Sequence, residues 1–319
     1  MAKKPDDNAR LFLHSAGWSN AACEPIAGDA STRKYFRLRR NQESVVLMDA
    51  SQNLDCLGPF VLINEHLRQL GFSAPEILAR DEKSGFLLLE DFGDDTFARR
   101  LDNGDDAERF FALATDVLIA LHHHAQAVPQ GLRSYDPGKM LADIELFLDW
   151  NMPGISETGK AEFRAVWREV LPMAHQVPTS LLLRDFHVAN LMFLPGREGV
   201  RQAGLLDFQD AYQGPITYDL VSLLEDARRD VPDKLREEMV ARYRAGSPAL
   251  NRMAFETSMA ILAALRHTRV LAIFERLSRR EQKHDYKKLH SPRVGRLLQR
   301  ALTHPVLAGV KSWLDRYAR

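Results

Sequence analysis

From position 106 onward, apolar residues recur at helical spacing in one segment after another: 106–124, 140–150, 160–171, 217–227, 232–244 and most of 253–277. The portion before it follows a different period. Residues 33–40 carry Tyr35, Phe36 and Leu38, residues 44–48 carry Val45, Val46 and Leu47, and Asn41-Gln42 between them predicts the turn of a β-hairpin. A Gly-containing loop over 28–32 leads into the hairpin, and a short helix over 9–16 precedes the loop. Pro59 can open a helix in which Phe60, Ile63, Leu67 and Leu70 share a face and which Gly71 ends. Residues 85–90 suit a buried strand, which Asp91-Phe92-Gly93-Asp94-Asp95 breaks. Strands at the front and helices through the rest predict an α+β protein of two lobes: a small β-rich N-lobe over 1–91 and a larger, mainly helical C-lobe over 92–319. A chain of 319 residues can give each lobe a core.

Several function classes are disfavoured by composition. Lys plus Arg and Asp plus Glu number 43 each, so no global field gathers nucleic acid or an anionic membrane. Cys23 and Cys56 stand in no metal-ligand spacing and make no disulfide framework, which fits a reducing compartment. The basic start Met1-Ala-Lys-Lys-Pro5 runs into Asp6-Asp7-Asn8 rather than the apolar core of a signal peptide, and no apolar run approaches membrane-spanning length. A cytoplasmic protein is expected, without nucleic acid or membrane as partner, and as a monomer or weak dimer.

The helical part has one exception. Residues 180–193 and 202–208 contain short apolar runs bounded by polar residues, as expected of strands and loops that hold a site. Here Leu183-Arg184-Asp185-Phe186-His187-Val188-Ala189-Asn190 is followed by Leu205-Leu206-Asp207-Phe208, the kinase pattern R-D-x-x-x-x-N and then D-F. Phosphoryl transfer needs a carboxylate that orients the attacking hydroxyl and accepts its proton, and oxygen ligands that hold Mg²⁺ against the nucleotide phosphates. Asp185 suits the first role, and Asn190 and Asp207 the second.

In order along the chain, the 28–32 loop, the strand ending at Met48, the helix with Glu65, the linker near Glu90 and this motif resemble the aminoglycoside phosphotransferase and choline kinase superfamily. More narrowly, residues 28–37, 184–193, 206–211 and 218–232 are similar to the bacterial cell-wall amino-sugar anomeric kinases. That resemblance implies a protein-kinase-like fold and ATP as co-substrate with Mg²⁺. It also implies phosphorylation of N-acetylmuramate or N-acetylglucosamine at C1, in peptidoglycan recycling. It matches Glu65 to the family's helix glutamate and Asp219 to the aspartate that supports the catalytic loop. Gly28, Ser31 and Thr32 would face phosphate, Glu90 and Phe92 would offer main-chain groups to adenine, and His187, Gln209 and Arg266 would lie on the acceptor side.

One position departs from the pattern. The strand that should end in a phosphate-binding Lys or Arg has Met48 there. The transferred charge still needs a cation, and Arg33, Lys34 and Arg37 on the preceding strand are the candidates, with Arg33 nearest the loop. On sequence alone a nucleotide-binding pseudokinase and an antibiotic or amino-alcohol kinase of the same fold stay open. His122, His123 and His124 do not make a metal site, because successive helix side chains diverge by about 100°.

Overall fold

Phe36 and Leu38 alternate with Tyr35 and Arg37, and Val45 and Leu47 alternate with Ser44 and Val46, so pairing the two segments puts four apolar side chains on one face. In the computed structural model, which describes residues 5–26 and 33–318, they pair in that register: Phe36 opposite Leu47 and Leu38 opposite Val45. The expected phosphate-loop residues Gly28, Ser31 and Thr32 lie outside the described residues. The chain divides into two compact units, 1–105 with 188–211, and 106–187 with 212–319.

The first unit carries a five-stranded antiparallel sheet of β1 (Ala22–Ile26), β2 (Lys34–Arg40), β3 (Glu43–Asp49), β4 (Ile77–Asp81) and β5 (Phe86–Glu90), in the order β1-β2-β3-β5-β4. Helix α1 (Asp7–Ser15), capped by Asp6, brings Phe12 and Leu13 onto the face made by Phe36, Leu38, Leu47 and Phe86. Each such side chain contributes about 1.5–3 kcal/mol by its burial. Helix α2 (Leu57–Gln69) follows β3, and α3 (Phe97–Asp102) starts at the Thr96 cap.

Where the sequence reading put one boundary after position 91, the first unit runs on to 105 and takes in 188–211. Two sets of contacts explain this. Arg37 reaches from β2 into the linker, with Nε and Nη2 on the Asp91 carboxylate at 2.7 and 3.0 Å, Nη1 on Asp94 at 2.7 Å and Nη2 on the Gly93 carbonyl at 2.8 Å. Burial raises the Asp91 carboxyl, but Arg37 and Ser44 outweigh it and hold the group below its ordinary range. In addition, the hairpin of β7 (Leu191–Phe193) and β8 (Ala203–Leu205) is bridged to Thr96 through Met192 and to Ser73 through Gly204.

The second unit is mainly helical: α4 (Ala107–His123), α5 (Pro137–Trp150), α6 (Glu157–Val170), α7 (Thr217–Leu224), α8 (Asp233–Gly246), α9 (Arg252–Glu281), α10 (His284–Ala301) and α11 (Ala308–Tyr317), with a ribbon of β6 (Thr179–Leu182) and β9 (Tyr212–Pro215). The 30-residue α9 is long and apolar enough to cross a membrane by length and composition, contrary to the sequence reading. Two-thirds of its most apolar stretch is buried, and it packs against α5, α7 and α10 as the central helix of the core. His122 and His123 end a packed helix, bonded to Tyr243 at 2.6 Å and Ser247 at 2.9 Å. Burial lowers His122 to about 3, so its ring is neutral beside the Tyr243 hydroxyl.

Candidate active site

In the first unit the β7–β8 hairpin sets the position of two oxygen-bearing side chains. Leu191 pairs with Leu205, which places Asn190, just before β7, opposite Leu206; the Leu206 N–H donates to the Asn190 carbonyl at 3.1 Å. Asp207 follows with φ +59°, a left-handed conformation that turns the chain out of the hairpin. Its Oδ2 comes within 3.5 Å of Asn190 Nδ2. Phe208, fully buried, stacks on Phe60 of α2 at 5.2 Å and anchors this turn.

Arg33, immediately before β2, completes the group. Its Nη2 donates to Asp207 Oδ1 at 2.6 Å and its Nη1 to Gln209 Oε1 at 2.5 Å, while Gln209 Nε2 donates to the same Asp207 oxygen at 3.1 Å. Burial opposes the guanidinium charge, but Tyr35 and Asp207 more than restore it. The other two candidate cations go elsewhere: Lys34 to Asp49 at 3.8 Å, and Arg37 to the linker. Met48, opposite Tyr35, is fully buried.

The second unit holds the loop that follows β6. Asp219, in the first turn of α7 and fully buried, accepts the Leu183 N–H at 2.6 Å and the Arg184 N–H at 2.9 Å. Burial raises its carboxyl to about 7 against the pull of those two donors. The backbone then turns through Arg184 at φ +71° and presents Asp185. The Arg184 guanidinium is enclosed by the rings of Tyr135, Tyr212 and Tyr218 at 4.4, 5.2 and 5.4 Å and pairs with Asp143 of α5 at 2.8 Å. Two residues past Asp185, the buried His187 lies with Nε2 3.2 Å from Arg228 Nη1. Burial lowers its pKa, so the ring is neutral and accepts at Nε2.

Residues 22–255 match the model of the phosphotransferase enzyme family. The chain belongs to that family. It is an ATP-dependent kinase of a small molecule, on the two-lobed protein-kinase-like fold. The N-acetylmuramate/N-acetylglucosamine kinase of Caulobacter vibrioides is 33% identical to it, over 96% of this chain and 94% of that protein. The enzyme of the same name from Pseudomonas putida is 34% identical, over 82% of this chain and 78% of that protein. Among solved structures, a choline/ethanolamine kinase family protein from Mesorhizobium loti is similar at a TM-score of 0.67 and 17% identity, over 96% of this chain and 99% of that one. An aminoglycoside phosphotransferase in complex with gentamicin is similar at 0.64 and 14%, over 93% and 97%.

Not every residue that the resemblance singled out joins these groups. Glu65 is half exposed and pairs with Arg80 of β4 at 3.3 Å, while Arg33 turns to Asp207 and Gln209. Glu90 gives its N–H to the Glu76 carbonyl at 2.8 Å and its carboxylate to Arg197. The Phe92 ring occupies space that a Cβ on Gly204 would invade at 2.8 Å. Gln209, expected on the acceptor side, sits with Asp207 and Arg33. Arg266 is buried and ends α7, its Nη1 on the Glu225 carbonyl at 3.3 Å.

The oxygen donors of Asn190 and Asp207 fit Mg²⁺, a hard cation that takes one or two protein oxygens and completes its shell with phosphate and water. Among the described residues no group of three or more His, Cys, Asp or Glu side chains could hold a metal ion. Sequence reasoning gave Arg184 and Asp143 no role. Asp143 lies in the middle of α5, where an acidic side chain ordinarily faces solvent, and only the fold turns it inward.

Proposed function

We propose that the chain phosphorylates the anomeric C1 hydroxyl of N-acetylmuramate or N-acetylglucosamine at the expense of ATP, as a cytoplasmic enzyme of peptidoglycan recycling. The observation that carries this reading is the identity of 33–34%, over 82–96% of the chain, to four proteins of that name. Asp185 orients the hydroxyl and takes its proton late in a loose transition state. An anomeric hydroxyl is more acidic than the other sugar hydroxyls, which suits a carboxylate base. Asn190 and Asp207 would hold Mg²⁺, which when bound offsets phosphate charge. Asp219 supports the catalytic loop from α7.

Arg33 supplies the phosphate-side cation in place of a strand lysine at Met48; its ion pair with Asp207 supports this role and favours an active enzyme over a pseudokinase. Arg33→Ala should weaken ATP roughly ten- to a hundredfold, the scale of one charge-assisted hydrogen bond, and adenosine far less. Equal losses for both ligands in titration calorimetry would point to a folding role. The substrate reading is tested by following ATP consumption with each sugar, with an aminoglycoside and with choline. Stimulation by the two amino sugars is expected, and stimulation by the aminoglycoside or choline alone would overturn it.

A further inference from the structure

Gln209 ties together the two charges of the phosphate side. Its Oε1 accepts Arg33 Nη1 at 2.5 Å, its Nε2 donates to Asp207 Oδ1 at 3.1 Å, and Arg33 Nη2 donates to that same oxygen at 2.6 Å. The three side chains thus close a ring of hydrogen bonds, all within the first unit. Nε2 also comes within 3.4 Å of Asp210 Oδ2, the other acid on this turn. A guanidinium only donates and a carboxylate only accepts, so the amide fits the ring in a single orientation. The side chain is held there: Gln209 is 8% exposed, and the turn that carries it is closed by the Ala211 N–H on the Phe208 carbonyl at 3.1 Å.

The ring divides the two oxygens of Asp207. Oδ1 accepts from both Arg33 and Gln209, which engages its two lone pairs. Oδ2 is turned toward Asn190, 3.5 Å from its Nδ2. Rotating the carboxylate would break both bonds to Oδ1, so Oδ2 is the oxygen that suits a cation shared with Asn190. The same amide fixes the other partner. Arg33 is held at Nη1 by Gln209, at Nη2 by Asp207 and 5.9 Å from the centre of the Tyr35 ring. A long side chain ordered in this way has already given up rotamer freedom that it would otherwise lose on meeting a phosphate.

We propose that Gln209 is a positioning residue of the nucleotide side rather than an acceptor-binding residue, orienting Asp207 toward the metal ion and Arg33 toward phosphate. This rests on the roles given above to Asp207 and Arg33. The experiment compares two variants of the full chain with the unaltered enzyme, each alone and combined with Arg33→Ala. Gln209→Met keeps the length of the side chain and offers neither charge a partner. Gln209→Asn is an amide too short to span both, and asparagine is at home in a turn, so it carries the comparison should Gln209→Met lower the melting temperature. Titration calorimetry with Mg-ATP and with adenosine is read beside steady-state kinetics in Mg-ATP and N-acetylglucosamine. Both variants should bind Mg-ATP about tenfold more weakly, the low end for a hydrogen bond to a charged group, because the loss is felt through Arg33 and Asp207. The KM for Mg-ATP should rise with it, while the KM for the sugar and the affinity for adenosine hold. In the Arg33→Ala background the further loss should be much smaller, since members of one network do not add. A raised KM for the sugar with Mg-ATP affinity intact would overturn the proposal and return Gln209 to the acceptor side. Losses that add in full, or that fall equally on adenosine, would also overturn it, as the mark of a merely structural residue. If Arg33→Ala alone leaves Mg-ATP binding unchanged, the phosphate-side role of Arg33 fails, and the proposal with it.

Discussion

Asp185→Asn should bind Mg-ATP almost as tightly as the unaltered enzyme while turning over roughly a hundred to ten thousand times more slowly, the range over which a positioned general base contributes. The amide keeps the shape of the carboxylate and removes its capacity to take a proton. The loop should hold its place, because its anchors are other groups: the Leu183 and Arg184 N–H on Asp219, and the Arg184 guanidinium on Asp143. Calorimetric affinity and single-turnover kinetics separate the two effects. A variant that keeps more than about a tenth of the turnover would remove Asp185 from the role of base.

Asp207 carries the second large effect, and its backbone dictates the choice of variant. At φ +59° an alanine is strained, whereas asparagine tolerates the left-handed region. Asp207→Asn therefore removes the charge without the strain, and Asp207→Ala removes both. Each variant loses the partner of Arg33 and a hard oxygen anion for Mg²⁺. Both should weaken Mg-ATP by about a hundredfold or more, as expected when an ion pair and a charged ligand go together. The side chain is 38% exposed, so the asparagine variant should unfold near the temperature of the unaltered enzyme. If it instead melts early and binds Mg-ATP normally, Asp207 is structural.

Most of this arrangement could be read in advance wherever a periodic pattern or a motif carries it. The β2–β3 hairpin, α2 and β5 follow from apolar spacing and turn residues. Strands β1 and β4 do not. β1 is nearly all exposed and contains Glu24 and Pro25, β4 is at most half-buried, and both lie at sheet edges, where one neighbour and little burial leave no alternation to see. The membership of 188–211 in the first unit depends on Ser73 meeting Gly204 and Thr96 meeting Met192, pairings of residues far apart in sequence that no local signal records.

Candidate-site residues divide in the same way. Asp185, Asn190 and Asp207 stand in a spaced motif, and Arg33 emerged as a candidate because Met48 left a charge uncompensated. Glu65 was carried over by resemblance, but the inner face of α2 is formed by Phe60, Ile63, Asn64 and Leu67, which leaves Glu65 outward toward Arg80. Lys139 and Asp143 stand one turn apart on α5, a spacing the sequence shows, but that Arg184 meets Asp143 from 41 residues away is a tertiary fact.

The anomeric claim is tested most directly by the reducing ends of the acceptor. Phosphate at C1 removes the free aldehyde, whereas phosphate at C6 leaves the sugar reducing. With Mg-ATP and N-acetylglucosamine or N-acetylmuramate, reducing ends should disappear one for one with ATP, and the product should release phosphate in mild acid. ATP consumed while reducing ends persist would contradict C1 as the site of transfer, and a failure of both sugars to stimulate ATP use would contradict the substrate assignment itself.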